Sequence, residues 1–259
     1  MRHILAVIIV LAALFPSLCV GGDGPFDKLN SDLSALGQDY RKFYLDPSTL
    51  VRFGAAAGGA GALANSSADR EFQEYYRDGI KSGSTDDLSK IFKIPGEPLI
   101  AIPLLAGVRL AFPSESPVGL WSQRTLRALF LGAPAAYAVQ VLAGGGRPEE
   151  GVDSSRWQGP YQNNNSLSGH AFIGAMPLIT AAMMQDDPIK KYALYAASSL
   201  TGLSRINDDK HYLSQAAIGW YLAYLSARAV ERTGPSPSLA VTAMPIGGDG
   251  VFILLSRRF

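Results

Sequence analysis

The chain has one cysteine, Cys19, so it can form no internal disulfide and no cysteine-rich metal site. It has few charged residues, 17% against about 25% in an average globular chain, and its formal net charge is only +1. That balance excludes a broad nucleic-acid surface, which needs clustered Lys and Arg. No sustained β-type alternation runs through the body, which argues against a sheet protein. Histidine is scarce as well. There are three, and His3 lies in a leader-like segment. The other two, His170 and His211, fall in one stretch, 163–215, each with a serine close before it.

What is present is apolar and helical in character. Hydrophobic residues make up 47% of 259 positions, enough for one core of about 200 residues once a leader and a tail are set aside. Residues 1–21 read as an export signal. Arg2 and His3 precede an apolar run, Ile4 to Phe15, and small residues follow up to Gly21. A retained membrane anchor is the alternative, but the run is short for a span. Cleavage near Gly21 would remove Cys19, and the expected location is outside the cytoplasm, in a periplasm, with membrane association left open.

The expected domain plan is a helical lead-in over 22–97, a helical bundle over 98–234 and a tail over 235–259. Tyr40, Phe43 and Tyr44 are packing candidates in the lead-in. Phe53 to Ala64 is mostly Ala and Gly and reads either as a close-packed helix or as a flexible segment. Residues 68–93 read as an amphipathic helix broken near Ser82-Gly83-Ser84. The bundle has apolar stretches Pro98 to Phe112, Thr125 to Ala143, Ala171 to Met184, Ile189 to Leu203 and Tyr212 to Glu231. Turn residues at Pro113-Ser114, Gly144-Gly145-Gly146, Asp186-Asp187-Pro188 and Gly234-Pro235 separate them. Ala128 to Gly146 and Ser166 to Gln185 approach membrane-spanning length, but their Ala and Gly content favours core helices. The fold class is therefore all-α, with a short hairpin over 238–259 around Gly247-Gly248-Asp249-Gly250.

A phosphate-ester hydrolase without a metal needs fixed cations, backbone amides aimed at phosphoryl oxygens, a nucleophile and an acid. The chain offers these in order. Arg147-Pro148 follows a glycine-rich helix break, Ser168-Gly169-His170 opens a helix, Arg205 adds a guanidinium, and His211 heads the last helix with Gln215 one turn on. Met176, Met183 and Met184 are most simply core, and two histidines 41 positions apart fit a zinc site poorly.

These residues resemble the three-part signature of the type 2 phosphatidic acid phosphatase superfamily, which includes bacterial class A acid phosphatases, lipid phosphatases and vanadium haloperoxidases. Its pattern is a Lys, six residues and Arg-Pro; then Pro-Ser-Gly-His; then Ser-Arg, five residues, His, three residues and Asp. Arg147-Pro148, Ser168-Gly169-His170 and Ser204-Arg205 with His211 match over about residues 125–228. The resemblance implies an α-helical bundle with its site at helix ends, no cofactor and no catalytic metal. It further implies that His170 protonates the leaving group and His211 becomes phosphohistidine. Arg147, Arg205, Ser168 and Gly169 would hold the phosphate.

Three positions depart from the pattern. Gln140 replaces the lysine, Leu167 the proline and Gln215 the aspartate that orients the nucleophile. Lys210 is a candidate for the lost cation, and Asp208 or Asp209 for the lost carboxylate. The expected substrate is a phosphorylated small molecule or a lipid phosphate or pyrophosphate. A membrane-embedded lipid phosphatase, a phosphate- or headgroup-binding protein without turnover, and a haloperoxidase are the rivals. Membrane-surface contact and oligomeric state are left open.

Overall fold

The computed structural model describes residues 24–151 and 153–233, and the backbone of 239–246 and 250–257. The expected export signal with Cys19 lies outside these residues. The helices are α1 (Pro25–Tyr44), α2 (Pro47–Ala64), α3 (Ala68–Gly79), α4 (Gly83–Phe92), α5 (Pro98–Ala111), α6 (Pro117–Ala143), α7 (Gly169–Met183), α8 (Pro188–Ser198), α9 (Leu200–Asn207) and α10 (Leu213–Thr233). Short 3₁₀ turns occupy Ile94–Gly96 and Pro148–Glu150. The tail forms an antiparallel hairpin, β1 (Leu239–Ile246) and β2 (Gly250–Arg257), with Leu239 opposite Arg257 and Ile246 opposite Gly250.

Local chemistry sets the boundaries. Proline opens α1, α2, α5, α6 and α8, where its missing N–H costs nothing and its φ suits the first turn. Side-chain caps precede several of these. Asp46 accepts from the Ser48 and Thr49 N–H groups, Ser116 from Gly119, and Asp187 from Ile189 and Lys190. The stretch 53–64 is ordered helix within α2. The expected helix over 189–203 is in fact two. The chain breaks at Ser199, and a separate helix, α9, carries Ser204 and Arg205.

The last helix, α10, is the centre of the bundle and packs against α1, α2, α6 and α7. Its Ile218, Leu222, Leu225 and Val230 are buried with Leu131 of α6 and Met176 and Ile179 of α7. Each such side chain contributes about 1.5–3 kcal/mol on leaving water. The lead-in helix is fastened by polar groups. Arg127 of α6 pairs with Asp39 through Nε and Nη2 at 2.9 and 2.8 Å, and Arg109 of α5 pairs with Asp32 at 2.9 and 3.1 Å. Tyr40 and Tyr44 donate to the carbonyls of Phe130 and Leu131, each at 2.8 Å. Phe43 is buried beside them.

Candidate active site

Three chain segments converge at one end of α7 and α10. The first is the loop after α6, which ends on Gly144 in the left-handed conformation, φ 70°. The loop folds back on itself. Gly146 N–H donates to Ser154 O at 2.7 Å and Asn165 N–H to Gly145 O at 3.0 Å. This fixes Arg147, whose Nε donates to Asn165 Oδ1 at 2.9 Å and whose Nη1 reaches Glu149 at 3.4 Å. Asn165 therefore aims an arginine. Trp157 packs into the apolar core against Gly61, whereas Tyr161 is exposed.

The second segment is the start of α7. Ser168 is fully buried and caps the helix, accepting from Ala171 N–H at 3.2 Å. At the first two helical positions the N–H groups of Gly169 and His170 have no acceptor within the helix and carry its positive end. The Leu167–Ser168 peptide is gripped on both sides. Gln140 Nε2 donates to Leu167 O and Ser168 N–H donates to Gln215 O, each at 2.9 Å. Gln140, expected as a phosphate ligand in place of lysine, thus spends its amide on the turn that presents those N–H groups. Leu167 fills the core where the signature has proline.

The third segment joins α9 to α10. Arg205 is buried, and its Nη1 donates to Asp208 at 3.1 Å while its Nε has no partner among the described residues. Burial pulls its guanidinium below the usual arginine range. Ser89 also donates to Asp208. Asp209 is held by Gln73 at 2.8 Å and by Arg77 and Lys81 at 2.9 Å. Lys210 pairs with Glu149. The expectation that Asp208 or Asp209 orients His211 is corrected, because both carboxylates are engaged elsewhere. Lys210 likewise pairs with the glutamate that holds Arg147. Asp69 fastens the start of α10, accepting from Ser214 N–H at 2.9 Å and from its hydroxyl.

His211 Nδ1 lies 2.9 Å from Gln215 Oε1. The neighbours of that amide decide its orientation. Gln215 Nε2 faces Gly146 O at 2.7 Å, which can only accept, and Oε1 faces Tyr212 N–H at 3.1 Å, which can only donate. Oε1 therefore accepts from His211 as well. Nδ1 carries the proton, and Nε2 of the neutral ring has a free lone pair. Burial pushes His211 from 6.5 down to about 4, and the positive charges of Arg205, Arg147 and His170 push the same way. His211 N–H donates to Arg205 O at 3.2 Å, and Gln215 joins His211 to Gly146 beside Arg147 and to Ser168 just before His170, so both histidines and both arginines meet at one place.

Residues 128–235 match the PAP2 superfamily. The match takes in Arg147, Ser168, Gly169, His170, Arg205 and His211, and supports the resemblance that these residues carry. No curated protein and no solved structure matches it. Members of the PAP2 superfamily are generally phosphatases, which at that coarse level supports phosphoric ester hydrolysis. One site residue comes from outside the PAP2 span. Glu97, between the Ile94–Gly96 turn and α5, places Oε1 3.1 Å from His170 Nε2. Sequence reading missed it. Its one signal was a lone charge among the turn residues Pro95, Gly96 and Pro98, at the head of an apolar helix.

Proposed function

We propose that this protein hydrolyses a phosphomonoester, or a lipid phosphate or pyrophosphate, through a phosphohistidine on His211. In this reading Arg147, Arg205 and the N–H groups of Gly169 and His170 hold the phosphoryl oxygens. The His211 Nε2 lone pair attacks phosphorus, the ester P–O bond breaks, and His170 gives its proton to the leaving oxygen. Water then attacks the phosphohistidine and returns a proton to His170, releasing phosphate. Arg147 stays aimed by Asn165, Ser168 caps the helix behind the turn, and Gln215 keeps the His211 proton on Nδ1. No cofactor enters the scheme.

The observation that carries the reading is Arg205 Nε, a buried donor with no partner among the described residues, beside a neutral histidine of defined tautomer. A buried donor left unpaired is costly, and an anion at this point satisfies it. The test is hydrolysis of an aryl phosphate by purified protein in EDTA. The expected result is turnover that vanadate inhibits. Activity abolished by EDTA and restored by zinc or magnesium overturns the scheme, and no turnover with retained phosphate binding favours a binding protein.

A lipid-borne substrate has its own support. Leu99, Ile100 and Leu104 of α5 are exposed directly after Glu97. Pro117–Glu150 is long and apolar enough to cross a membrane, and α4 with α5, bent by 53°, makes a second such stretch if counted as one. These features favour a site that works at a membrane surface after export. Co-sedimentation with phospholipid vesicles that alkaline washing reverses is the expected result.

A further inference from the structure

Glu97 stands at the N-cap of α5, a position that favours Ser, Thr, Asp or Asn. Its side chain makes no capping bond there. It turns instead to His170 Nε2 at 3.1 Å. The approach is built into the chain. A Cβ on Gly96 would lie 2.7 Å from His170 O and 3.0 Å from His170 Cα, so only glycine lets the 3₁₀ turn rest on the backbone of that residue. Thr201 tightens the same joint by donating to Phe92 O at 2.8 Å. The pair is partly exposed, 28% for the His170 side chain and 41% for Glu97, so it adds little to stability. The charge of Glu97 also acts on Arg205.

We propose that Glu97 is the positioning residue of His170, holding its Nε2–H so that the proton for the leaving group is delivered from Nδ1. The proposal rests on His170 being the acid of the reaction above. When the ester bond breaks, the Nδ1 proton passes to the leaving oxygen. When water attacks phosphorus, a proton returns to Nδ1. Glu97 takes no proton in either step. It fixes the ring, as the aspartate of a Ser–His–Asp triad does for its histidine.

The test compares wild type, Glu97→Gln, Glu97→Asp and Glu97→Ala on an aryl and an alkyl phosphate. General acid catalysis is worth about 10²–10⁴ and matters most for poor leaving groups, so kcat on the alkyl ester should fall at least ~10-fold further than on the aryl ester. Glu97→Asp should recover part of the loss. In a His170→Ala background, Glu97→Gln should cost nothing more. Equal losses on both esters, a gain in rate, or a further loss without His170 would overturn the proposal. A second measurement does not depend on turnover. In ¹⁵N spectra the neutral His170 ring should carry its proton on Nε2, and Glu97→Ala should mix the two tautomers. A proton on Nδ1 in the wild type overturns the proposal even if neither ester is hydrolysed, whereas failure of both esters alone counts against the phosphatase reading.

Discussion

Replacing Gln215 by Asp should destabilise the protein and accelerate it together. The buried amide makes three contacts: it accepts from His211 Nδ1 and from Tyr212 N–H and donates to Gly146 O. Aspartate is shorter by one methylene and has no N–H. Gly146 O would lose its 2.7 Å partner, an unmet buried acceptor worth about 1–3 kcal/mol. At about 2–4 °C per kcal/mol for a domain of this size, Tm should drop by roughly 2–12 °C. The rate should move the other way. A carboxylate beside Nδ1 stabilises the imidazolium that forms as Nε2 attacks, which an amide carbonyl cannot do to the same degree. In a serine protease the acid-to-amide change costs about 10⁴, much of it from a wrong tautomer. Here Gln215 already fixes the right tautomer, so we expect a gain of about 10-fold in kcat/KM, well below that figure. The assay is kcat/KM on an aryl phosphate, normalised to vanadate-titrated sites, with thermal melting alongside. Gln215→Leu is the control and should lose both stability and rate. If Gln215→Asp shows no gain while Gln215→Leu keeps full activity, Gln215 does not orient the nucleophile.

Other consequences concern pH and packing. His211 is held at about 4 by burial and the neighbouring cations, so on the acid side kcat/KM should fall through His211 protonation only near pH 4; an acid limb assigned to His211 at 6.5 or above would contradict the burial argument. The same group links pH to folding. Between 4 and 6.5 the unfolded chain binds a proton that the folded chain does not, so its contribution is complete above about 6.5 and falls by ~3 kcal/mol as pH drops to about 4. Chemical denaturation across that range reads it. Asp39→Ala strands the buried Arg127 guanidinium and should cost about 3–5 kcal/mol by the same method, with activity per folded molecule unchanged. Gly219→Ala would put a Cβ 2.5 Å from Ser168 O, pushing away the turn proposed to bind phosphate, and should raise KM for an aryl phosphate.

The helical plan was legible because proline, Asp and Ser caps mark the starts and glycine marks a critical end. Two features were not. Ile189 to Leu203 carries unbroken helical character with no breaker residue at Ser199, and α9, which follows the break, packs against α4 and α7. The Ala- and Gly-rich stretch in α2 was ambiguous because tertiary contacts, which propensity does not contain, decide whether such a segment is helical. The candidate residues of the three-part signature were proposed from spacing. Their roles at Gln140 and Asp208 were not legible there, since a side chain's partner depends on where a distant backbone carbonyl or serine falls. Gln140 meets Leu167 O, and Asp208 meets Ser89 and Arg205. Glu97 lies 73 residues from His170, and only the fold brings the two together.

The central claim is that His211 carries the phosphoryl group. Turnover of an aryl phosphate, quenched within milliseconds into alkaline denaturant that preserves phosphohistidine, followed by digestion and mass spectrometry, tests it directly. The account predicts phosphate on Nε2 of His211 and none in His211→Ala. Phosphate on His170, or burst release of the aryl alcohol with no phosphorylated histidine, would contradict it.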